Sequence, residues 1–161
     1  MTDLNNIFRA LRRGALIAGV AAVSTAAWGG DHVYDLGNAK FRGECGSCHV
    51  AYPPALLPAQ SWDRLMATLD KHFGSDASVD AKTEKEIGDF LQANAGVKKK
   101  VVAQSGTLRI SETSWFKREH GEELSPAAWK NPKVKSPANC EACHLQAAEG
   151  DYSERSIRVP R

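Results

Sequence analysis

Cys45-Gly46-Ser47-Cys48-His49 and Cys140-Glu141-Ala142-Cys143-His144 are the two stretches on which the reading of this chain turns. All four cysteines of its 161 residues lie in them. Cys-x-x-Cys-His is the attachment motif for c-type haem, and its spacing has a mechanical reason. Two thiols three residues apart lie on one side of a helical turn, where they can add to the two vinyl groups of a haem. The next residue then places an imidazole beneath the iron as the proximal ligand. A Cys-x-x-Cys pair in an exported protein can also be a disulfide, and two such pairs can build a zinc site. Neither alternative requires His directly after the second Cys, and here it stands there twice. The flanks carry no thioredoxin-like βαβ pattern. The expectation is two covalently bound haems c, anchored by Cys45, Cys48, Cys140 and Cys143, with His49 and His144 as proximal ligands.

The motifs start 95 residues apart, which suggests one haem per half. Before the first of them, Arg9, Arg12 and Arg13 precede an apolar run from Gly14 to Val23 and the small residues Ser24-Thr25-Ala26-Ala27. A basic region, a short apolar region and a small-residue cleavage site read as a secretory signal. The run is shorter than the roughly 20 residues of an ordinary membrane span. An uncleaved N-terminal anchor is the alternative. The division expected is a signal peptide over 1–27, an N-terminal haem domain over 28–99 and a C-terminal haem domain over 100–161. Removing the signal takes away Asp3 and three arginines, which leaves 18 basic and 18 acidic residues. No later segment resembles a transmembrane helix, so the mature chain should work in an oxidising exported compartment, with no membrane span.

Composition bounds the rest. With 25% charged, 42% hydrophobic and 7% aromatic residues, the chain suits one or two small globular domains. A formal charge of +2 without a basic helix or aromatic-basic platform excludes an electrostatic nucleic-acid binder. Halves of about 65 residues would be marginal alone, so each haem should serve as core material.

Helical signals dominate. Ser61 can cap a helix over Trp62–Phe73 with Gly74 as its stop. Trp62, Leu65, Met66, Leu69, His72 and Phe73 fall on one stripe of that helix. Thr83 with Glu86 forms a capping box for a second helix, whose inward face is Ile87, Phe90 and Leu91 before Gly96. Lys98-Lys99-Lys100 and the segment to Ile110 read as a solvated interdomain connection. Trp115–His120 reads as a short helix closed by Gly121. Ser125-Pro126 and Ser136-Pro137 read as helix starts, the latter opening a helix that carries Cys140, Cys143 and His144 to near Gly150. No strand alternation repeats, so the fold class expected is mainly α.

The distal ligands decide the chemistry. With His49 and His144 assigned, His32, His72, His120 and Met66 remain in the mature chain as candidates. His72 lies on the apolar stripe of its helix, where an imidazole is costly unless hydrogen-bonded or metal-bound. Met66 shares that stripe and is its chief rival, with ordinary core filling as the alternative role. His120 is the candidate within the second half, and Phe116 one turn earlier shares its face. His32 reads as surface or tail. The Tyr52-Pro53-Pro54 segment reads either as a rigid turn or as the carbonyl source that fixes the His49 tautomer.

Several motifs in order resemble the dihaem cytochrome c (DHC) family of bacterial periplasms. They are Glu44–His49 followed by Ala51-Tyr52-Pro53-Pro54, then Asp70-Lys71-His72-Phe73-Gly74, Trp115–His120, Ser136–His144 and Gly150-Asp151-Tyr152. The resemblance runs from about Phe41 to Pro160. It implies an N-terminal domain like a class I cytochrome c and a short, atypical C-terminal domain. It implies bis-histidine, low-spin haems, so that His72 and His120 carry over as distal ligands. Some members donate electrons to a small high-spin monohaem cytochrome, so the resemblance implies a redox partner of that kind.

The function expected is periplasmic electron transfer through two low-potential haems in a monomeric, non-enzymatic protein. The competing class is a haem enzyme, peroxidase- or reductase-like, which would need one iron with an open position. Two well-placed spare histidines, His72 and His120, match two irons and leave no obvious vacancy.

Overall fold

The computed structural model of the chain describes residues 32–161. The expected signal over 1–27 lies outside the described residues. Among them there are six α-helices and no strand, as the mainly α expectation requires. The helices are α1 (Ala39–Cys45), α2 (Ala59–Met66), α3 (Ala81–Asn94), α4 (Lys99–Val102), α5 (Ser114–Glu123) and α6 (Pro126–Trp129). Single 3-10 turns and isolated β-bridges join them.

The first half is an ordinary packed core. Asn38 starts α1 by accepting from the Phe41 N–H at 2.8 Å, and its amide donates to Glu86 on α3 at 3.3 Å. Leu36, Phe41, Ala51, Leu57, Trp62, Leu65, Ile87 and Leu91 form one buried cluster between α1, α2 and α3. Trp62 satisfies its buried indole N–H on the Pro54 carbonyl at 2.8 Å. Gly96 closes α3 onto this core, its N–H bonding the Leu57 carbonyl at 2.8 Å. A Cβ there would sit 2.4 Å from the Ala55 oxygen, so only glycine lets the chain pass.

Local expectations are corrected at the helix ends. The helix expected to run to Phe73 stops at Met66. Thr68 has left helical geometry (φ −135°, ψ 32°), its N–H bonding the Leu65 carbonyl at 3.1 Å and its hydroxyl the Arg64 carbonyl at 2.9 Å. A 3-10 turn over Leu69–Lys71 follows, and His72 pairs with Ser75 in a bridge instead of riding a helix. Ser61 is not the cap of α2. It lies fully buried in the first turn, after Pro58. Asp80 replaces Thr83 as the cap of α3, accepting from the Lys82 and Thr83 N–H groups and from the Thr83 hydroxyl.

The second half departs further. α5 passes through Gly121 to Glu123, with the Leu124 N–H still bonded to the His120 carbonyl at 3.0 Å. Ser125-Pro126 does open α6. Ser136-Pro137 opens a turn only, and the second motif lies on a 3-10 turn (Cys140–Ala142) rather than on a helix. Its continuation is held by backbone pairing, of His144 with Ile157 thirteen residues on and of Gln146 with Asp151 across a local turn. Buried apolar side chains here are scattered, chiefly Phe116, Val134 and Ala147, so this half lacks the continuous protein core of the first.

Three sets of contacts tie the halves together. The connection after Lys98 is not a free tether. Val101 is buried, Ser61 reaches the Ser105 carbonyl at 3.4 Å, and Leu108 and Ile110 pack on the first core. Tyr52 donates its hydroxyl to the Ala138 carbonyl at 2.6 Å. Residues 32–34 are paired with the second half, not left as a tail. The Tyr152 N–H bonds the His32 carbonyl at 2.8 Å and the Tyr34 N–H bonds the Gly150 carbonyl at 2.9 Å. Gly150 adopts φ +81°, and a Cβ on it would lie 2.3 Å from the Tyr34 oxygen.

Candidate haem centres

None of the four motif cysteines is in a disulfide. Cys45 ends α1, so the motif leaves the helix at once and Gly46–His49 run as turns beside the core. Burial pushes the Cys45 thiol up to about 11, aided by the carboxylate of Glu44, and pushes Cys140 up to about 11 as well. Cys143 is raised by the same cause. Among the described residues no cluster of three or more His, Cys, Asp or Glu is arranged for a metal ion. A cofactor that brings its own iron and its own apolar surface fits the same surroundings.

The histidines meet in two pairs. His49 and His72 face each other with ring centroids 6.2 Å apart and planes inclined by 23°. His120 and His144 are 6.1 Å apart at 67°. Two imidazoles bound to opposite sides of one metal at about 2 Å each have centroids about 6 Å apart. That is too far for stacking and too near for a side chain between them, but it is the gap that a planar macrocycle fills. Met66 packs against the first core as a partly buried side chain. His32 is exposed and stacks on Tyr34.

The four rings are held by different means. His49 Nδ1 donates to the carbonyl of Val50 at 2.8 Å, so the carbonyl comes from the motif's own next residue and not from Tyr52-Pro53-Pro54. That leaves Nε2 with its lone pair. The Tyr52 ring stacks on His49 at 4.6 Å instead. His120 Nδ1 bonds the Phe116 carbonyl one turn back on α5 at 3.1 Å, with the Phe116 ring stacked on it at 3.9 Å. His72 and His144 have buried Nδ1 atoms with no partner in the protein. Phe73 lies edge-on to the former at 4.9 Å and Tyr152 against the latter at 5.1 Å. Burial lowers the pKa of His72, His120 and His144, which favours the neutral imidazole that metals require.

The two centres are neighbours. A hollow of about 260 Å³ runs along the first motif and is bounded across the gap by Glu141 and Ala148. Tyr52 touches His49 with its ring and the Ala138 carbonyl, two residues before Cys140, with its hydroxyl. The sequence signal for this bridge was the tyrosine beside the first motif, but its partner lies 86 residues away.

Paired imidazoles, unbridged cysteine pairs at haem spacing and a second half without its own core define a c-type cytochrome with two haems. The dihaem cytochrome c family model matches residues 41–152, and the chain belongs to that family. Two solved structures of DHC from Rhodobacter sphaeroides are similar. One is 45% identical, covering 73% of this chain and 98% of that one, with a TM-score of 0.63. The other is 43% identical, covering 74% and 99%, with a TM-score of 0.67. The dihaem cytochrome sb-DHC from Shewanella baltica OS155 is 38% identical, covering 76% and 93%, at 0.65. No curated protein matches the chain. The protein is thus a dihaem c-type cytochrome, with electron transfer as the general work of its family and the four cysteines available for thioether attachment. No helix among the described residues is long and apolar enough to cross a membrane.

Proposed function

We propose that this chain carries single electrons between other redox proteins in the periplasm, through two low-potential haems each held by two histidines. His49 and His72 serve the N-terminal haem, anchored by Cys45 and Cys48. His144 and His120 serve the C-terminal one, anchored by Cys140 and Cys143. The observation that carries this reading is the pair of facing imidazoles at 6.2 and 6.1 Å, one beside each motif.

When bound, haem supplies a one-electron ferric–ferrous couple. The chain's own residues set its character. Two imidazole donors favour ferric iron more than a histidine–methionine pair does, which lowers the potential. The Val50 and Phe116 carbonyls hold His49 and His120 in the tautomer that presents Nε2, and raise their basicity. A facing histidine at each site supports a carrier rather than an enzyme, which needs an open iron position. The division into haem units at 28–99 and 100–161, the monomeric state and export by residues 1–27 complete the proposal. The partner class is a redox protein, such as a small high-spin monohaem cytochrome.

Optical and electron paramagnetic resonance spectra of the oxidised holoprotein test this reading. The wild type should show two low-spin signals and no far-red methionine–iron band. His72→Ala should turn only the N-terminal haem high-spin and open its reduced iron to carbon monoxide, and His120→Ala only the C-terminal haem. Met66→Leu should leave both spectra as they are, since that swap roughly conserves volume. High-spin haem in Met66→Leu but not in His72→Ala would overturn the N-terminal assignment.

A further inference from the structure

His72 differs from the other ligand of its centre in how it is held. His49 is oriented by a hydrogen bond to the Val50 carbonyl, whereas His72 Nδ1 is buried with no protein acceptor. Only packing then fixes rotation about its Cβ–Cγ bond. The packing partner is the next residue, whose ring lies edge-on to the imidazole at 4.9 Å and 65°. Adjacent residues seldom present rings to each other, and the backbone shows what this one requires. Phe73 has φ +50°, in the left-handed region that a phenylalanine seldom adopts, followed by Gly74 at +100°. The Ser75 N–H closes the turn on the His72 carbonyl at 3.0 Å.

The Phe73 ring is itself 45% exposed, so the first core does not hold it. What covers it is Arg109, whose guanidinium carbon lies 3.9 Å from the ring centroid. At that distance a cation is attracted to the face of the ring. Glu112 steers the guanidinium, its carboxylate 3.5 Å from Arg109 Nε. Arg109 enters from the end of the interdomain connection, immediately before the 3-10 turn over Ile110–Glu112. Phe73 and Arg109 also line a surface hollow of about 460 Å³, into which an unclamped ring can swing.

We infer that Phe73 and Arg109 together form the positioning clamp of His72, in place of the hydrogen bond that the other ligand of that site donates to a carbonyl. The second half of the chain thereby holds a ligand of the first haem. The inference rests on the proposed role of His72 as distal ligand.

The test is the spin state and ligand exchange of the N-terminal haem in the oxidised and reduced holoprotein. Outer partners of metal ligands typically change affinity by about 10–100-fold when removed. Phe73→Ala and Arg109→Ala should therefore give a high-spin ferric fraction at that haem, and carbon monoxide should displace the ligand from reduced iron about tenfold faster or more. The C-terminal haem should be unaffected. Arg109→Lys, which keeps a cation over the ring, should restore most of the low-spin signal, an outcome that a purely structural role would not give. Arg109 is exposed, so its variants report even where Phe73→Ala fails to fold. Wild-type spin state and exchange in Arg109→Ala, with high-spin haem in His72→Ala, would overturn the clamp and leave the ligand assignment intact. Low-spin N-terminal haem in His72→Ala would overturn the ligand assignment itself, and the clamp with it.

Discussion

The two imidazole pairs have nearly the same separation but different inclinations, 23° for His49 and His72 and 67° for His120 and His144. Imidazole planes orient the iron d orbitals through π overlap. Parallel planes separate the two orbitals that carry the unpaired electron, and perpendicular planes leave them nearly degenerate. With both histidines ligating, the N-terminal haem should give a rhombic low-spin resonance and the C-terminal haem a far more anisotropic one. Two resonances of the same rhombic shape at low temperature would contradict the pairing. His120 owes its orientation to Phe116 four residues earlier, a spacing that is legible in sequence, because a helical residue can bond the carbonyl one turn back. The Val50 acceptor of His49 carried no such signal. The cysteines and adjoining histidines follow from spacing alone, but the meeting of each motif with its second histidine is a property of three dimensions.

Helix boundaries turned on single polar side chains. The apolar stripe from Trp62 to Phe73 suggested one helix, but the backbone leaves helical geometry at Thr68, whose hydroxyl bonds the Arg64 carbonyl. Asp80 displaced Thr83 as the cap of α3 because one carboxylate can serve three donors, where a hydroxyl serves one or two. Those bonds hold the Asp80 carboxyl below its usual range of 3.8, with the Thr83 side chain contributing most. A depressed native pKa means a contribution to stability that is full above the unfolded pKa and lost as pH falls through the native one. Denaturant midpoints of wild type and Asp80→Ala should therefore differ at pH 7 and converge in acid. A gap that widens toward acid would invert the expected linkage. Ile87, only 1% exposed on the same helix, tests the core. Ile87→Ala should cost about 2–5 kcal/mol in chemical unfolding while leaving the haem spectra in place.

The halves form one molecule more closely than a two-domain reading of the sequence suggests. The lysine run looked like a solvated tether, but Val101 behind it is buried and Leu108 and Ile110 reach the first core. Nor could sequence show that the second motif would lie on a 3-10 turn braced by Ile157, since neither segment carries strand alternation. At the junction, Tyr52→Phe removes the bond to the Ala138 carbonyl and keeps the ring on His49. It should cost about 0.5–1.5 kcal/mol, the net contribution of a typical intramolecular hydrogen bond, as measured by denaturant unfolding of the holoprotein. An unchanged midpoint would mean that water replaces the hydroxyl at no penalty.

The pairing of residues 32–34 with Gly150–Tyr152 gives the chain an order of completion. Contacts between segments so distant in sequence carry the largest loop-closure entropy and form last. A polypeptide delivered N-terminus first exposes Cys45 and Cys48, with α1, α2 and α3 able to gather around them, well before residue 150 arrives. The first attachment site can form on a nearly finished scaffold, whereas the second forms on a loose one. The seam between residues 32–34 and 150–152 then closes, like a clasp fastened after loading.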